Sequence, residues 1–196
     1  FGIDPEQRQK IYFEALEVLL RGLQGGRLTF EGEYYRYRDV PMELEPLQKP
    51  HPPLWVGVAT GDGAAYAGQR GWNFVSLSTV TETRVLTDRY RAASKDGGRS
   101  ARLGLGRFVI VAPTDEEALA IARRTYPKWH ANFHHLYTLH GRAPVFGMRA
   151  PEFDLIKDGG RGIAGSPETI ARLVREQAGG AGVNYFVGQF AFGDLA

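Results

Sequence analysis

The sequence predicts an α/β fold in which parallel strands are covered by outer helices. Segments with strand and helix character alternate three times, and a last strand follows. Such alternation is typical of a parallel sheet. The 196 residues are 43% hydrophobic and 23% charged, which is enough for one sizeable core. Four strands fit either a small doubly wound sheet or half of a (β/α)₈ barrel, because a complete barrel needs about 250 residues.

Composition argues against several kinds of partner. The net charge is +2 and basic residues are interspersed with acidic ones, so we expect no nucleic-acid partner. No apolar run approaches the length of a bilayer span, so we expect no membrane partner. The chain has no cysteine, which leaves no disulfide and fits a cytoplasmic location. It begins at Phe1 rather than at a methionine and stops soon after an apolar strand, so we expect a piece of a longer chain.

The chain is predicted to open with a helix and an insert. Asp4 is the expected N-cap, because Pro5 follows it and Gln7 stands in the capping-box position. Residues 24–52 are interpreted as the insert. It contains a small surface hairpin over residues 28–37 and then a proline-rich lead.

The most informative segment runs from Gln48 to Gly63. Its prolines bias the chain toward extended geometry and lead into Leu54–Val58, which has the character of a buried strand. Thr60–Gly63 then forms a turn at the start of a helix that ends at Gly71. Unpaired backbone N–H groups and the helix dipole make such a turn an anion site. It matches neither the P-loop nor the dinucleotide fingerprint, and a plain βα turn is the alternative.

The remaining elements alternate between strand and helix. Residues 141–165 are rich in glycine and proline and lack a clear period, which indicates a functional lid or a disordered segment. The other predicted elements are, in order, a strand over Trp72–Ser78, a helix with Thr81 as N-cap, a strand over Leu103–Ala112, a long helix from Thr114 that Pro127 kinks or breaks, a helix from Ser166 to Gly179-Gly180, and a fourth strand over Val183–Phe190.

Three further sets of side chains are candidates for chemistry. His130 and His134 have metal-binding spacing, but the glutamate of the zinc-protease motif is missing, so we expect no metal. Arg107 lies inside an apolar strand and needs a carboxylate partner or a ligand anion. The exit of the last strand either lines a pocket or packs as an ordinary strand; its residues are Gln189, Phe190 and Phe192. No catalytic residue is identified.

Several segments, taken in order, resemble the bacterial luciferase-like monooxygenase family of flavin-dependent (β/α)₈ barrels. The resemblance implies that the chain is the C-terminal half of the barrel, strands five to eight, as a single partial domain over residues 1–196. The first four strands would precede Phe1, and a final helix would follow Ala196. The segments that carry the resemblance are Phe1–Asp4, Phe30–Tyr35, Gln48–Gly57, Ala67–Asn73, Gly165–Ile170 and Gly182–Phe186.

The resemblance also implies a function. A flavin-dependent monooxygenase uses reduced FMN and O₂ to oxygenate a small organic substrate. In the family, the turn after strand five contacts the flavin and its phosphate. Thr60 would supply the hydroxyl, while Val58 and Ala59 would lie beside the isoalloxazine ring or ribityl chain. Gly61 and Gly63 would offer N–H groups. Some relatives carry a second serine or threonine at the Gly63 position, and glycine removes that hydroxyl here.

Two other functions stay open. One is an F420-dependent reductase or dehydrogenase of the same barrel family. The other is a non-catalytic flavin-binding module, completed as a homo-oligomer or by a partner chain, since a half-barrel exposes apolar sheet edges. Residues 141–165 match the position of the family's mobile active-site loop. The family's catalytic contacts lie mostly in the earlier strands, so we expect this fragment alone to be inactive.

Overall fold

The computed structural model describes residues 4, 6–144, 149–190 and 192–193. The chain divides into two compact units, Phe1–Leu54 and Trp55–Ala196. Within the described ranges, no helix combines the length and the apolar character that a membrane crossing requires.

The first unit consists of one helix and one hairpin. Helix α1 spans Arg8–Gly22, strand β1 spans Gly26–Glu31, and strand β2 spans Arg36–Met42. The two strands pair antiparallel, so the predicted hairpin is present. The carboxylate of Glu14 holds the hairpin loop, because it accepts three backbone hydrogen bonds. The donors are the N–H groups of Glu33 at 3.0 Å, Tyr34 at 2.8 Å and Tyr35 at 2.6 Å.

The helix start predicted at Asp4 is wrong. Helix α1 begins at Arg8 with Gln7 at the N-cap, and no side chain caps it. Asp4 closes a turn ahead of the helix, where its Oδ1 accepts from the N–H of Glu6 at 2.9 Å. Aspartate bonds to nearby backbone in turns as readily as at caps, so the pattern did not distinguish the two. Residues 1–3 and 5, which belong to the same predicted start, lie outside the described ranges.

The second unit is a parallel sheet with helices between its strands, as predicted. Every strand pair in it is parallel. Its elements are β3 (Trp55–Gly57), α2 (Gly61–Arg70), β4 (Asn73–Ser76), α3 (Val80–Ala93), β5 (Leu103–Val111), α4 (Asp115–Leu139), α5 (Phe153–Asp158), β6 (Gly162–Gly165), α6 (Pro167–Ala181) and β7 (Tyr185–Gln189).

Strand β5 organises this sheet. Its first half pairs with β4 and with β7, and its second half pairs with β6. The sheet therefore has five strands rather than the predicted four. The extra strand β6 and the short helix α5 lie inside residues 141–165, where neither is long enough to show a period. Residues 145–148 of that segment lie outside the described ranges, and its mobility stays a prediction.

Two predicted helix boundaries are corrected. Thr79, not Thr81, is the N-cap of α3, and it forms a complete capping box with Glu82. Helix α6 does not stop at Gly179-Gly180 but continues to Ala181 and ends at Gly182. Gly182 has a φ of 66°, a left-handed conformation that favours glycine. At each boundary the sequence offers more than one residue of the required type, threonine at the start of α3 and glycine at the end of α6.

The two faces of the sheet have different environments. One face carries Phe74 and Leu103, which are fully buried beneath α2 and α3. Side chains alternate between faces along a strand, and residues paired across parallel strands share a face. The opposite face, which we call the open face, is formed by Trp55, Leu77, Tyr185 and Val187. These four side chains are 39–55% exposed, although all are apolar or aromatic.

The open face is continuous around the glycines of β5. Gly104 pairs with Tyr185, and a Cβ at Gly104 would lie 3.5 Å from the Trp55 ring. The rings of Trp55 and Tyr185 are 5.1 Å apart. A Cβ at Gly106 would lie 2.4 Å from Leu77 Cδ2, so Leu77 rests directly on Gly106.

Helices α2 and α3 approach closely at a small residue. A Cβ at Gly68 would lie 2.4 Å from the backbone oxygen of Tyr90 and 3.3 Å from Ala93 Cβ. Any side chain there would push the two helices apart. Helix α2 is the element that follows the candidate anion turn, so this contact helps to fix the turn.

Candidate functional site

The candidate site lies at the carboxyl edge of β3. The N–H of Val58 donates to the Val75 oxygen at 2.9 Å, which extends the β3–β4 ladder by one residue. The chain then leaves the sheet through Ala59 and Thr60, both exposed. Ligands of parallel α/β folds bind outside the carboxyl ends of the strands. The predicted turn is therefore in the position where such folds bind ligands.

Thr60 is the N-cap of α2. Its backbone is extended, and its Oγ1 accepts a hydrogen bond from the N–H of Gly63 at 3.1 Å. The Thr60 oxygen accepts from the N–H of Ala64 at 3.0 Å. A hydroxyl has one proton and two acceptor positions, so Thr60 can cap the helix and still donate to a ligand.

The predicted donor set changes in one position. The N–H of Gly63 is bonded to Thr60 and does not point freely outward. The N–H groups of Gly61 and Asp62, in the first turn of α2, have no intrahelical partner. The turn therefore offers two backbone donors and one hydroxyl, with Asp62 in place of Gly63. This donor set fits a phosphate group.

Val58 and Ala59 differ in what they can contact. Val58 is 4% exposed and packs in the core beneath the helices, and its N–H is already bonded. Any cofactor contact of Val58 would run through its carbonyl oxygen. Ala59 is exposed at the edge. The predicted role beside a flavin ring or ribityl chain therefore fits Ala59 better than Val58.

The sequence interpretation assigned no role to two charged side chains at the turn, those of Arg89 and Asp62. Arg89 of α3 lies beside Gly61, since a Cβ built on Gly61 would be 3.5 Å from Arg89 Nε. Arg89 has no hydrogen bond or ion pair within the part of the chain that the structure describes. Asp62 is exposed in the first turn of α2, where its carboxylate opposes an anion. Arg89 is 29 positions from Thr60 in sequence, and no local pattern links them.

Arg107 lies on the covered face of β5, beside the same edge. It is 2% exposed, and its Nε donates to Gln177 Oε1 at 2.6 Å. Its Nη1 donates to the oxygens of Ser78 at 3.0 Å and Gly106 at 2.7 Å. Among the described residues no carboxylate pairs with it, so the ion pair stays a prediction, and Nη2 has no described partner. Burial first, and then the positive charge of Arg161, lower the pKa of Arg107 to about 10.

Residues 1–185 match the family model described as luciferase-like monooxygenase. The chain belongs to the luciferase-like monooxygenase family. Members of this family are flavin-dependent monooxygenases, and the α/β fold with its parallel sheet agrees with their TIM-barrel architecture.

Two curated relatives illustrate the range of this family. An uncharacterised protein of Sinorhizobium fredii is 34% identical over 199 residues, which is 100% of this chain and 58% of that protein. An FMNH(2)-dependent dimethylsulfone monooxygenase of Pseudomonas putida is 30% identical over 110 residues, covering 54% of this chain and 30% of the enzyme. The chain thus spans little more than half of a relative that it matches from end to end.

Solved structures show the same fold. A monooxygenase from Streptomyces bottropensis superposes with a TM-score of 0.74 at 18% identity, covering 97% of this chain and 56% of that one. The coenzyme F420-dependent tetrahydromethanopterin reductase from Methanopyrus kandleri gives 0.64 at 18% identity, covering 91% and 56%. Both FMN-dependent and F420-dependent proteins are therefore among the neighbours of this luciferase-like chain.

In this luciferase-like chain, the side chains of His130 and His134 bond to backbone oxygens. Helix α4 continues through Pro127, so His130 and His134 share a face, with rings 4.1 Å apart. His130 Nε2 is 2.7 Å from the Arg149 oxygen, and His134 Nδ1 is 2.9 Å from the His130 oxygen. The described residues contain no cluster of three or more metal-binding side chains. These histidines connect α4 to the segment that precedes α5.

The exit of β7 is divided between core and surface. Phe192 is 4% exposed, and its ring packs 5.2 Å from Phe108. Phe190 is 58% exposed. Tyr126 belongs to the same aromatic cluster as Phe192, and burial raises the pKa of its hydroxyl to about 12. Core packing therefore explains Phe192 in this luciferase-like fold.

Proposed function

We propose that the protein is a flavin-dependent monooxygenase that uses reduced FMN and O₂ to oxygenate a small organic substrate. In this proposal, β3, β4, β5 and β7 are strands five to eight of the barrel, and β6 is an addition to strand seven. Because the chain spans about half of its relatives, the activity is proposed for the full-length protein. The family match supports the reaction type.

One observation carries the cofactor proposal. The turn at the start of α2 combines an exposed threonine hydroxyl with the two unpaired N–H groups of Gly61 and Asp62. It lies at the carboxyl edge of a parallel sheet, in a chain whose family uses flavins. The positive end of the helix dipole adds to the attraction for a phosphate.

The residues of the chain then have definite tasks. Thr60, Gly61 and Asp62 hold the flavin phosphate, and Arg89 supplies a positive charge beside it. When bound, the flavin supplies the oxygen chemistry, which this protein's side chains cannot provide themselves. The chain's own contribution is to bind and orient the cofactor at the edge and to exclude water there.

The bound chromophore and the phosphate dependence of its binding test the proposal. The full-length protein is expected to purify with, or take up, a chromophore with the absorption spectrum of FMN. In fluorescence titrations, FMN is expected to bind more tightly than riboflavin, which has the same ring and no phosphate. Equal affinity for the two would argue against a phosphate site. The spectrum of F420 would instead support the reductase or dehydrogenase, and a flavin-bound protein without turnover would support the non-catalytic module.

A further inference from the structure

Arg107 is the most unusual side chain of the sheet. It is a buried cation without a described counter-ion, and a buried charge is costly unless its hydrogen bonds are made. Nη1 of its guanidinium donates hydrogen bonds to two backbone oxygens, those of Ser78 and Gly106. The Ser78 carbonyl lies two residues past the end of β4, and the Gly106 carbonyl lies within β5. Arg107 therefore connects the end of one strand to its neighbour.

A second network holds the same segment. The hydroxyl of Ser76 accepts from the N–H of Ser78 at 3.2 Å and from Thr83 Oγ1 at 3.3 Å. Thr83 Oγ1 also lies 3.4 Å from the Ser78 oxygen. Ser76 and Thr83 are fully buried. The short connection between β4 and α3 is thus fixed from the covered side of the sheet at several points.

Leu77 lies on the opposite face of the sheet from these two hydrogen-bond networks. It lies between Ser76 and Ser78, rests on Gly106 and is 55% exposed. Arg107 follows Gly106 directly, so its side chain leaves the strand on the opposite face. The polar network on the covered face thereby sets the position of an apolar side chain on the open face.

The position of Leu77 relative to Thr60 suits a flat, extended ligand. Gly57 pairs with Val75, so Thr60 and Leu77 follow adjacent strands at nearly the same height. Leu77 leans onto β5, which is two strand spacings, roughly 10 Å, from β3. A ribityl chain separates the phosphate of FMN from its ring, so a ring at Leu77 would be within reach of a phosphate at Thr60.

We propose that Leu77 is an apolar contact for the isoalloxazine ring, and that Arg107 is a positioning residue that holds Leu77 over Gly106. This inference rests on the proposed flavin function. It assigns the ring contact to β4 and the phosphate contact to α2, so the two can be separated experimentally.

The test compares a ligand with a ring and one without. FMN affinity is measured by flavin fluorescence, and inorganic phosphate affinity by its competition with FMN. Leu77→Ala removes apolar contact and is expected to weaken FMN binding about fivefold to tenfold, without changing the affinity for phosphate. Thr60→Ala is expected to weaken both. Val85→Ala, which shortens an exposed apolar side chain on α3, is the control and should change neither.

Two substitutions displace Leu77 without altering it. Gly106→Ala places a methyl group against the flexible end of Leu77, so FMN binding should weaken with little loss of thermal stability. Arg107→Met should also weaken FMN binding, and Arg107→Lys, which keeps a charged donor, should restore most of it. If Arg107 acts through Leu77, adding Arg107→Met to Leu77→Ala should cause no further loss.

The outcomes separate this inference from the proposed function. Normal FMN affinity in Leu77→Ala, together with weak binding in Thr60→Ala, would overturn the inference and leave the flavin proposal intact. Additive losses in the double variant would overturn the positioning role of Arg107. A wild-type protein that binds no flavin would overturn both proposals. If Arg107→Met does not fold, Arg107→Gln, which removes the charge but keeps a polar side chain, takes its place alone and combined with Leu77→Ala.

Discussion

At the scale of single residues, Thr60 has two roles that one hydroxyl can fill together. It caps α2 through the N–H of Gly63, and its proton is available to a ligand. A substitution that removes the hydroxyl therefore lowers both helix stability and ligand affinity. The two losses must be separated before any effect on binding is assigned to the site.

Thr60→Ala is expected to weaken FMN binding by about 1–2 kcal/mol, the value of one hydrogen bond to a charged group. Thr60→Ser keeps the hydroxyl and should bind nearly normally. Thr114→Ala is a matched control, because Thr114 caps α4 through the N–H of Glu117 at 3.2 Å in the same way. It should lose a similar amount of thermal stability, about 1 kcal/mol, with unchanged FMN affinity. Normal affinity in Thr60→Ala would remove Thr60 from the site.

The charges beside the turn predict opposite effects. Arg89→Met removes a cation next to Gly61 and should weaken FMN binding a few-fold, mainly at low salt. Asp62→Asn removes a negative charge from the start of α2 and should strengthen it to a similar degree. Riboflavin affinity, measured in the same titrations, should change in neither variant. A change in riboflavin binding equal to that in FMN binding would contradict the electrostatic explanation.

At the scale of elements, the contact between α2 and α3 depends on Gly68. Gly68→Ala is expected to destabilise the protein by about 1–3 kcal/mol, because the added methyl group meets backbone that cannot move independently. Gly179→Ala is the control: it lies in α6, and a Cβ there would have nothing within 4 Å. It should stabilise the protein by about 0.5–1 kcal/mol through helix propensity. Chemical denaturation measures both, and equal effects would contradict the close approach.

Helices α4 and α6 start beside each other because of one carboxylate. Asp115 accepts from the N–H of Ser166 at 2.6 Å and from Thr169 Oγ1 at 2.9 Å. These bonds, the backbone one first, hold the pKa of Asp115 below its ordinary value. The ionised form is favoured in the folded state. Its contribution to stability is therefore present above the unfolded pKa and is lost as the pH falls through the folded pKa.

Asp115→Asn should accordingly lower the melting temperature at pH 7. The difference from wild type should shrink below about pH 4, where the carboxyl group of the unfolded chain becomes protonated. Glu116→Gln is the matched control, since it removes the same charge from the same helical turn. A difference that persists unchanged at acidic pH would show that Asp115 does not act through its charge.

The elements differ in how far the sequence could predict them. Strand β5 and helix α2 were predictable, because a long apolar run and a threonine followed by glycines are distinctive. Strand β6 was not, since its four residues, Gly162–Gly165, become a strand only through pairing with β5. Thr79 and Thr81 both suit an N-cap, and the choice between them depends on Glu82, three residues after Thr79.

The residues of the candidate site also differ in how far the sequence could predict them. The turn at Thr60 was predictable because its cap, its donors and its strand are local in sequence. Arg89 and Leu77 reach the edge only through the packing of α3 and the pairing of β4 with β5. No pattern near Thr60 contains either residue. The donor exchange between Gly63 and Asp62 depends on the cap bond, which the residue types alone do not determine.

At the scale of the whole molecule, the open face predicts association. The 196-residue chain exposes Trp55, Leu77, Tyr185 and Val187 on one surface of its sheet, and contiguous apolar surface favours contact with another chain. Val187→Lys should reduce self-association of this chain in concentration-dependent light scattering. Val85→Lys, at an exposed valine of α3, should not. Monomeric wild-type protein at all concentrations would contradict the prediction.

The pairing of strand β5 has a consequence for how much change the sheet tolerates. It pairs with β7 through Gly104–Phe108 and with β6 through Phe108–Val111, so the excursion through α4, α5 and β6 starts and ends on the same strand. The whole ladder between β5 and β7 lies outside that excursion. Insertions and exchanges in the loops of that excursion can therefore be made without breaking the β5–β7 ladder. The backbone bonds that join β7 to β5 therefore do not depend on the residues of that excursion.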